Sequence, residues 1–396
     1  MSSFRLPVAL IAAMAVIAAC STTEPEAQAS VPPPTSTTTT VAPTSTSTPP
    51  TPPMVVEGVP DDLAALVASI YEHAAGTGAS PVDPRFLPAE GVAAGMAGRQ
   101  AIGGSASWGE ASIAFIGAGP DTIAAVDLGN GWEIVAVDLP TLGHRDLGYR
   151  SAVVAAVGSD ARPGEDPLRS RADSLHLIGF DGESGTFDLV GIPRDSWVPI
   201  PGRGSGKITS SLAYGGPTML RDTLEALTGY PLDGLVITGF EGFQEALGNV
   251  LGGIQITLDA PVQDSAAGAS FDAGEQYMNG PQALAFARAR KSLRNGDFDR
   301  QRNGGLVLIA AGFTAGHRPV EDSARLIAAA AEWGWTDLDP VLLTRLALTI
   351  RLAPILDVGN VVLSGVAGER SGTSTVELTP GAAATLADLA DGSLDG

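Results

Sequence analysis

Charged residues at the ends of strand-like runs carry the chemistry this sequence offers. Gly158-Ser159-Asp160-Ala161-Arg162 stands where an apolar run ends and a loop begins, the place where α/β proteins gather ligands, and Asp160 is a candidate metal ligand there. Next, Arg169-Ser170-Arg171-Ala172-Asp173-Ser174 brings a second carboxylate, Asp173, behind two arginines. Two carboxylates can jointly hold Mg²⁺. The run 186–192 delivers Pro193-Arg194-Asp195 and then a glycine-rich loop ending in Lys207, so positive charge reaches the same edge. Arg288 and Arg290 follow the apolar run 283–287. Residues two apart diverge on a helix and align on an extended segment, so these two converge only if a helix ends near Arg288.

Guanidinium forks match phosphate oxygens, and carboxylates recruit the bridging metal. An acidic chain, of net charge −21, that repeatedly sets Arg beside Asp at strand ends therefore reads as a pyrophosphate site, working by positioning and charge stabilisation. Taken singly, each of these motifs reads more readily as a surface ion pair. The same charge, with no block of Lys and Arg, excludes a nucleic-acid partner. His73, His144, His176 and His317 lie far apart without ligand spacing, and Cys20 is the single cysteine, which excludes zinc and thiol chemistry.

From Ser151 onward the elements that must position these groups alternate between strand and helix. Strands are expected at 152–157, 174–180, 186–192, 235–239 and 254–258, with a hairpin turn at 181–185. Helices are expected at 217–228, opened by Pro217 and closed by Gly229, and at 240–251, 281–287 and 300–313. The expectation is an α/β fold, an α/β/α sandwich with a mixed central sheet over 149–396. Apolar faces at 220–227, 240–250 and 306–313 either line a tunnel for a lipid tail or are core.

Residues 55–148 read as a small α+β accessory domain. It has a helix over 61–73 that Asp61 can cap, and a hairpin turning at Asn130-Gly131. Ahead of it, Arg5 precedes an apolar stretch, 6–19, that is short for a permanent membrane span and reads as a signal peptide. Ile17-Ala18-Ala19-Cys20 is similar to the lipobox of bacterial lipoproteins, which makes Cys20 a lipidation site. Residues 20–54 are mostly Thr, Ser and Pro and do not fold. At roughly 3 Å per residue they hold a body up to about 100 Å from a lipid surface. The expected location is the extracytoplasmic face of the cell membrane, lipid-anchored.

In order, Gly158-Ser159-Asp160-Ala161-Arg162, Arg171-Ala172-Asp173-Ser174, Ile192-Pro193-Arg194-Asp195, Lys207-Ile208, Tyr214-Gly215-Gly216-Pro217 and Arg288-Ala289-Arg290 closely resemble the LytR-CpsA-Psr family. Phe240-Glu241-Gly242-Phe243, Leu251-Gly252-Gly253-Ile254 and Gly296-Asp297-Phe298 before Arg300 support the resemblance, which runs from about Ser151 to the C-terminus. It implies a phosphotransferase that moves a glycopolymer from a polyprenyl-pyrophosphate carrier to a peptidoglycan hydroxyl, forming a phosphodiester. It also implies Asp160 and Asp173 as Mg²⁺ and pyrophosphate-associated carboxylates, and Arg171, Arg194, Lys207, Arg288 and Arg290 as the pyrophosphate clamp, with the general base unassigned. This chain departs from the family pattern at Thr209, where asparagine is usual, and at Asn303-Gly304, where an Arg-Gln pair is usual. A non-catalytic carrier-binding regulator and a polyprenyl-pyrophosphate hydrolase are the alternative readings.

Overall fold

The computed structural model describes residues 54–92, 99–291 and 293–394. The signal stretch, Cys20 and nearly all of the tether fall outside the described residues. Among those described, no helix is long and apolar enough to cross a membrane.

Two six-stranded sheets organise the chain. The first is β1 (Val55–Glu57), β2 (Gln100–Trp108), β3 (Ala111–Ala118), β4 (Asp121–Asp127), β5 (Trp132–Leu139) and β6 (His144–Asp146), paired in sequence order. The helix Asp61–Ala74 packs on one face of it through Leu63, Val67 and Ile70. Asp61 does not cap that helix: the cap position is Pro60, without a side-chain bond, and Asp61 and Asp62 occupy the first turn, where their charge favours the positive end of the helix dipole. The β4–β5 connection is longer than a two-residue turn. Asp127 Oδ1 accepts the N–H groups of Gly129 at 2.7 Å and Gly131 at 3.0 Å, and both glycines take positive φ.

The second sheet contains β7 (Ser151–Ser159), β8 (Ala172–Asp181) and β9 (Thr186–Gly191). The hairpin β10 (Trp197–Ile200) and β11 (Gly204–Lys207) precedes its next member, β12 (Gly234–Thr238). Outside the sheet, β13 (Ile254–Leu258) pairs with a later strand, and β14 (Val262–Asp264) forms a hairpin with β15 (Ala269–Phe271); β13's partner is β16 (Gly274–Met278). The short strands β17 (Trp335–Thr336) and β18 (Asn360–Val362) complete the order β17-β12-β7-β8-β9-β18, parallel at β12–β7 and β9–β18 and antiparallel elsewhere. A final hairpin, β19 (Gly365–Arg370) and β20 (Thr373–Leu378), stands beside β10.

Alternation along β7 sorts the layers. Val153, Ala155 and Val157 face the helices Ser210–Thr228 and Pro380–Asp388, through Leu212, Leu220, Leu224 and Leu386. Ala152, Val154 and Ala156 face the opposite side, where Leu308, Leu343 and Leu346 of the helices Asp297–Gly316 and Pro340–Leu352 pack. This is the α/β/α sandwich with a mixed sheet. On that second side the core continues without a break into Ile113, Phe115, Val126 and Val135 of the first sheet. The unit 55–148 is thus joined to the sandwich by shared core, with Pro340–Leu352 wedged between the two sheets.

Candidate active site

Asp173 sits on a β-bulge. In the β7–β8 ladder Gly158 pairs with Ser174 and Ser159 with Ala172, leaving Asp173 as the extra residue between them. A bulge bends its strand and re-aims a side chain. This one turns Asp173 toward the ends of β9 and the Asp297–Gly316 helix, where Arg194 pairs with its Oδ1 and Arg300 Nη1 lies 3.7 Å from its Oδ2.

Asp297 closes the cluster. Its Oδ1 accepts from Arg300 Nε at 2.8 Å and lies 3.6 Å from Arg194 Nε, while Oδ2 accepts the Arg194 backbone N–H at 3.3 Å. Arg300 is only 5% exposed, and its Nη2 also donates to the Asp173 carbonyl at 2.8 Å. Burial works against the charge of Arg194, and Asp173, then Asp297 and Asp195, more than offset it, so its pKa lies above the ordinary guanidinium value.

Arg288 and Arg290 reach the same basin because the helix Gly280–Arg288 ends where convergence required. Ala289 leaves the helix at φ −59°, ψ 131° and is fully buried, and the two arginines on either side of it are exposed. Arg288 stacks over the Phe240 ring, 4.5 Å from its centroid. Neither arginine has a carboxylate partner among the described residues. The extended exit is fixed by Asp264, whose Oδ2 accepts the backbone N–H groups of Arg290 and Lys291, both at 2.8 Å. Its Oδ1 accepts from Ala266 at 3.0 Å and Ala267 at 3.3 Å. The N–H groups of Arg290 and then Lys291 hold the Asp264 carboxyl down at about 2.

Asp173, Arg194, Asp264, Arg288, Arg290, Lys291 and Arg300 therefore line one cationic basin. Behind it lies an apolar cavity that shares Asp173, Arg288 and Arg300 with the basin and is walled by Phe240, Phe243, Leu284 and Leu308. His176 closes its floor. Burial, countered by the Gln301 carbonyl 2.8 Å from Nε2, brings the imidazole down to about 4, so it is neutral and adds no charge to the cavity.

Several expected members lie elsewhere. Arg171 does not join the clamp: its backbone N–H and its Nε meet the two oxygens of Asp160 at 2.8 and 2.9 Å, and its side chain is exposed. Lys207 belongs to β11 rather than to a glycine-rich loop, and it pairs with Asp195 at 2.8 Å outside the basin lining. The local carboxylates capture both cations. The apolar face at 220–227 does not line the cavity either, because Leu220 and Leu224 are buried on the opposite face of the sheet.

Arg300, Asp297, Asp264 and Lys291 were not among the expected site residues. Asp297 and Arg300 are three apart and so share a helix face, a signal the sequence does hold. Thr209, in place of the usual asparagine, works through its backbone, donating to the Arg194 carbonyl at 3.2 Å and accepting from Ala172 N–H at 3.0 Å.

The LytR_cpsA_psr family model matches residues 146–310. The polyisoprenyl-teichoic acid–peptidoglycan teichoic acid transferase TagU of Bacillus subtilis (strain 168) is 39% identical over 149 residues, which are 37% of this chain and 47% of that protein. TagT of the same organism is 34% identical over 155 residues, covering 37% of this chain and 48% of the relative. The chain thus spans about half the length of the curated relatives it matches. Among solved structures, TagT bound to LI-WTA aligns with a TM-score of 0.51 at 24% identity, over 63% of this chain and 92% of that one. Bacillus subtilis TagV aligns at 0.52 and 23%, over 62% and 98%. These structural likenesses speak to the fold. Four strands of the central sheet, together with Asp173, Arg194, Arg288, Arg290 and Arg300, fall inside the matched segment, so residues 146–310 are a LytR_cpsA_psr domain.

Proposed function

We propose that this protein transfers a phosphate-linked glycopolymer from a polyprenyl-pyrophosphate carrier to a hydroxyl of peptidoglycan. The observation that carries the reading is the meeting of the cationic basin and the apolar cavity at Asp173, Arg288 and Arg300. A lipid pyrophosphate has the same two parts joined in the same order. The names of the relatives TagU and TagT, teichoic acid transferases, support it. The apolar wall of Phe240, Phe243, Leu284 and Leu308 is where the start of a prenyl chain would lie.

In this reading Arg288 and Arg290 grip the pyrophosphate, and Arg194 and Arg300 stabilise the charge that builds on the bridging oxygen. The acceptor oxygen forms a bond to the sugar-linked phosphorus, the P–O bond to the distal phosphate breaks, and polyprenyl phosphate leaves with the electron pair. The acceptor proton ends on the departing polyprenyl phosphate, with no side chain assigned as base, since both oxygens of Asp173 already face guanidinium groups.

Mg²⁺ is proposed as the cofactor, held by Asp160 and Asp173. The described residues hold no group of three or more His, Cys, Asp and Glu that could cage an ion. Mg²⁺ commonly uses one or two carboxylates plus substrate phosphates, and here Asp160 is engaged by Arg171 and Asp173 by Arg194 and Arg300, so holding the ion would require these pairs to open. When bound it would neutralise pyrophosphate charge. Lipidation of Cys20 and anchoring at the extracytoplasmic face complete the proposal, and metabolic labelling with a fatty acid in wild type against Cys20→Ser tests them.

The direct experiment measures polyprenyl phosphate released from a synthetic polyprenyl-pyrophosphate sugar, with and without Mg²⁺ and peptidoglycan. Release that needs Mg²⁺, acceptor and an intact Asp173 supports transfer. Acceptor-independent release makes the protein a hydrolase, and tight binding without release makes it a carrier-binding regulator.

A further inference from the structure

We propose that a second cavity, of 320 Å³, binds an uncharged, hydroxyl-rich sugar ring of the acceptor glycan. The inference rests on the transfer reading above and supplies the acceptor subsite that reading leaves unplaced.

The cavity opens at the carboxyl ends of the parallel neighbours β7 and β12, the crevice where open α/β sheets take ligands. It touches the apolar cavity at one residue, Gly239. Its near wall starts at Ala161, directly after Asp160, and the Ala161 carbonyl accepts the Phe240 N–H at 3.3 Å. Phe240 in turn carries Arg288 on its ring, and the next residue, Glu241, lines the new cavity. The lining is thus continuous with Asp160 through Ala161 and, through Glu241 and Phe240, with Arg288.

Charge decides what kind of ligand fits. Glu165, Glu241 and Glu332 face a single guanidinium, that of Arg162, whereas the basin sets five cations against Asp173 and Asp264. Within a Debye length of about 8 Å such opposite fields sort ligands, and the acidic cavity repels a pyrophosphate or a polyphosphate polymer. Carboxylates accept hydrogen bonds from sugar hydroxyls, Arg162 can donate to ring or carbonyl oxygens, and Trp333 adds aromatic surface.

The far wall is rigid. Thr238 Oγ1 donates to the Trp333 carbonyl at 2.9 Å, and Gly242 packs so closely on that carbonyl that a Cβ would sit 1.8 Å from it. Glu332 and Trp333 lie beyond residue 310, outside the segment the family model matches.

The test titrates chitotetraose, an uncharged N-acetylated saccharide, into the full chain, followed by calorimetry, and measures peptidoglycan-dependent transfer in parallel. Glu241 and Glu332 are exposed, so Glu241→Gln/Glu332→Gln should fold as wild type, which its melting temperature checks. The double variant is expected to weaken chitotetraose binding by about tenfold or more and to raise the acceptor KM by a similar factor, with polyprenyl-phosphate affinity unchanged. Trp333→Ala serves as a second, independent variant with the same expected pattern. No chitotetraose binding to wild type, or binding that the variants leave unaltered, overturns the assignment. Saccharide binding that the variants abolish, in a protein that transfers to no acceptor, would sink the transfer reading while leaving the sugar site in place.

Discussion

Arg194 and Arg300 hold the same two carboxylates. Asp173 meets both guanidinium groups, and so does Asp297, which makes a closed ring of two arginines and two aspartates from β8, the exit of β9 and the Asp297–Gly316 helix. Each charge has two opposite neighbours, so removing one member leaves each of its two partners with a single counter-charge. For the buried Arg300, Arg300→Ala should cost about 3 kcal/mol of stability, read by urea unfolding, because it weakens two ion pairs at once and removes the hydrogen bond to the Asp173 carbonyl. A loss under about 1 kcal/mol would show that the ring is a surface arrangement.

Arg288 and Arg290 stand in the opposite condition. They are exposed, carry no ion pair among the described residues, and contribute little to the core. Arg288→Ala and Arg290→Ala should each stay within about 0.5 kcal/mol of wild-type stability. Transfer should fall by about a hundredfold or more. Arg288→Lys should restore little, since a point charge replaces a fork that also stacks on Phe240. Both alanine variants keeping full activity would remove these residues from the site.

Much of this was legible in the sequence. The alternation at 152–157 placed β7, and the condition that a helix must end near Arg288 for Arg288 and Arg290 to meet is the one the chain fulfils. Pattern could not say which cation a carboxylate captures. Asp160 takes Arg171 and Asp195 takes Lys207 because they are the nearest opposite charges once the strands pair, a fact of register rather than of motif. Nor does an apolar stripe name the sheet face it covers, which is why 220–227 read as a tunnel wall and folded as core on the other side.

Asp264 was illegible for a different reason: it acts on backbone N–H groups 26 and 27 residues away, and any side chains there would serve. Its folded-state pKa, about 2, lies below its ordinary value of 3.8. A depressed carboxylate stabilises above the unfolded pKa, and that contribution is lost as pH falls through the folded one. Asp264→Asn should therefore be less stable than wild type at pH 7. The difference between the two should shrink between pH about 4 and about 2 and vanish below, as followed by denaturant midpoints at each pH. A gap independent of pH across that window would mean that the carboxylate's charge is not what holds the Arg290–Lys291 backbone.

Gly304, half of the Asn303-Gly304 departure, sets the size of the apolar cavity. A Cβ at this position would lie 2.9 Å from His176 Cε1 and 3.5 Å from Ser174 Oγ, so any side chain there intrudes between the Asp297–Gly316 helix and β8. His176 cannot retreat easily, being buried and tied to the Gln301 carbonyl. Gly304→Ala should cost about 1–3 kcal/mol through overpacking. It should also weaken a prenyl-bearing pyrophosphate more than inorganic pyrophosphate, because the basin cations stay where Asp264, Asp173 and Asp297 hold them. Competition of the two ligands on wild type and variant separates the cases. An equal loss for both would mean that the substitution moves Arg300 on the same helix, and an unchanged prenyl preference would mean that the tail does not enter beside Gly304.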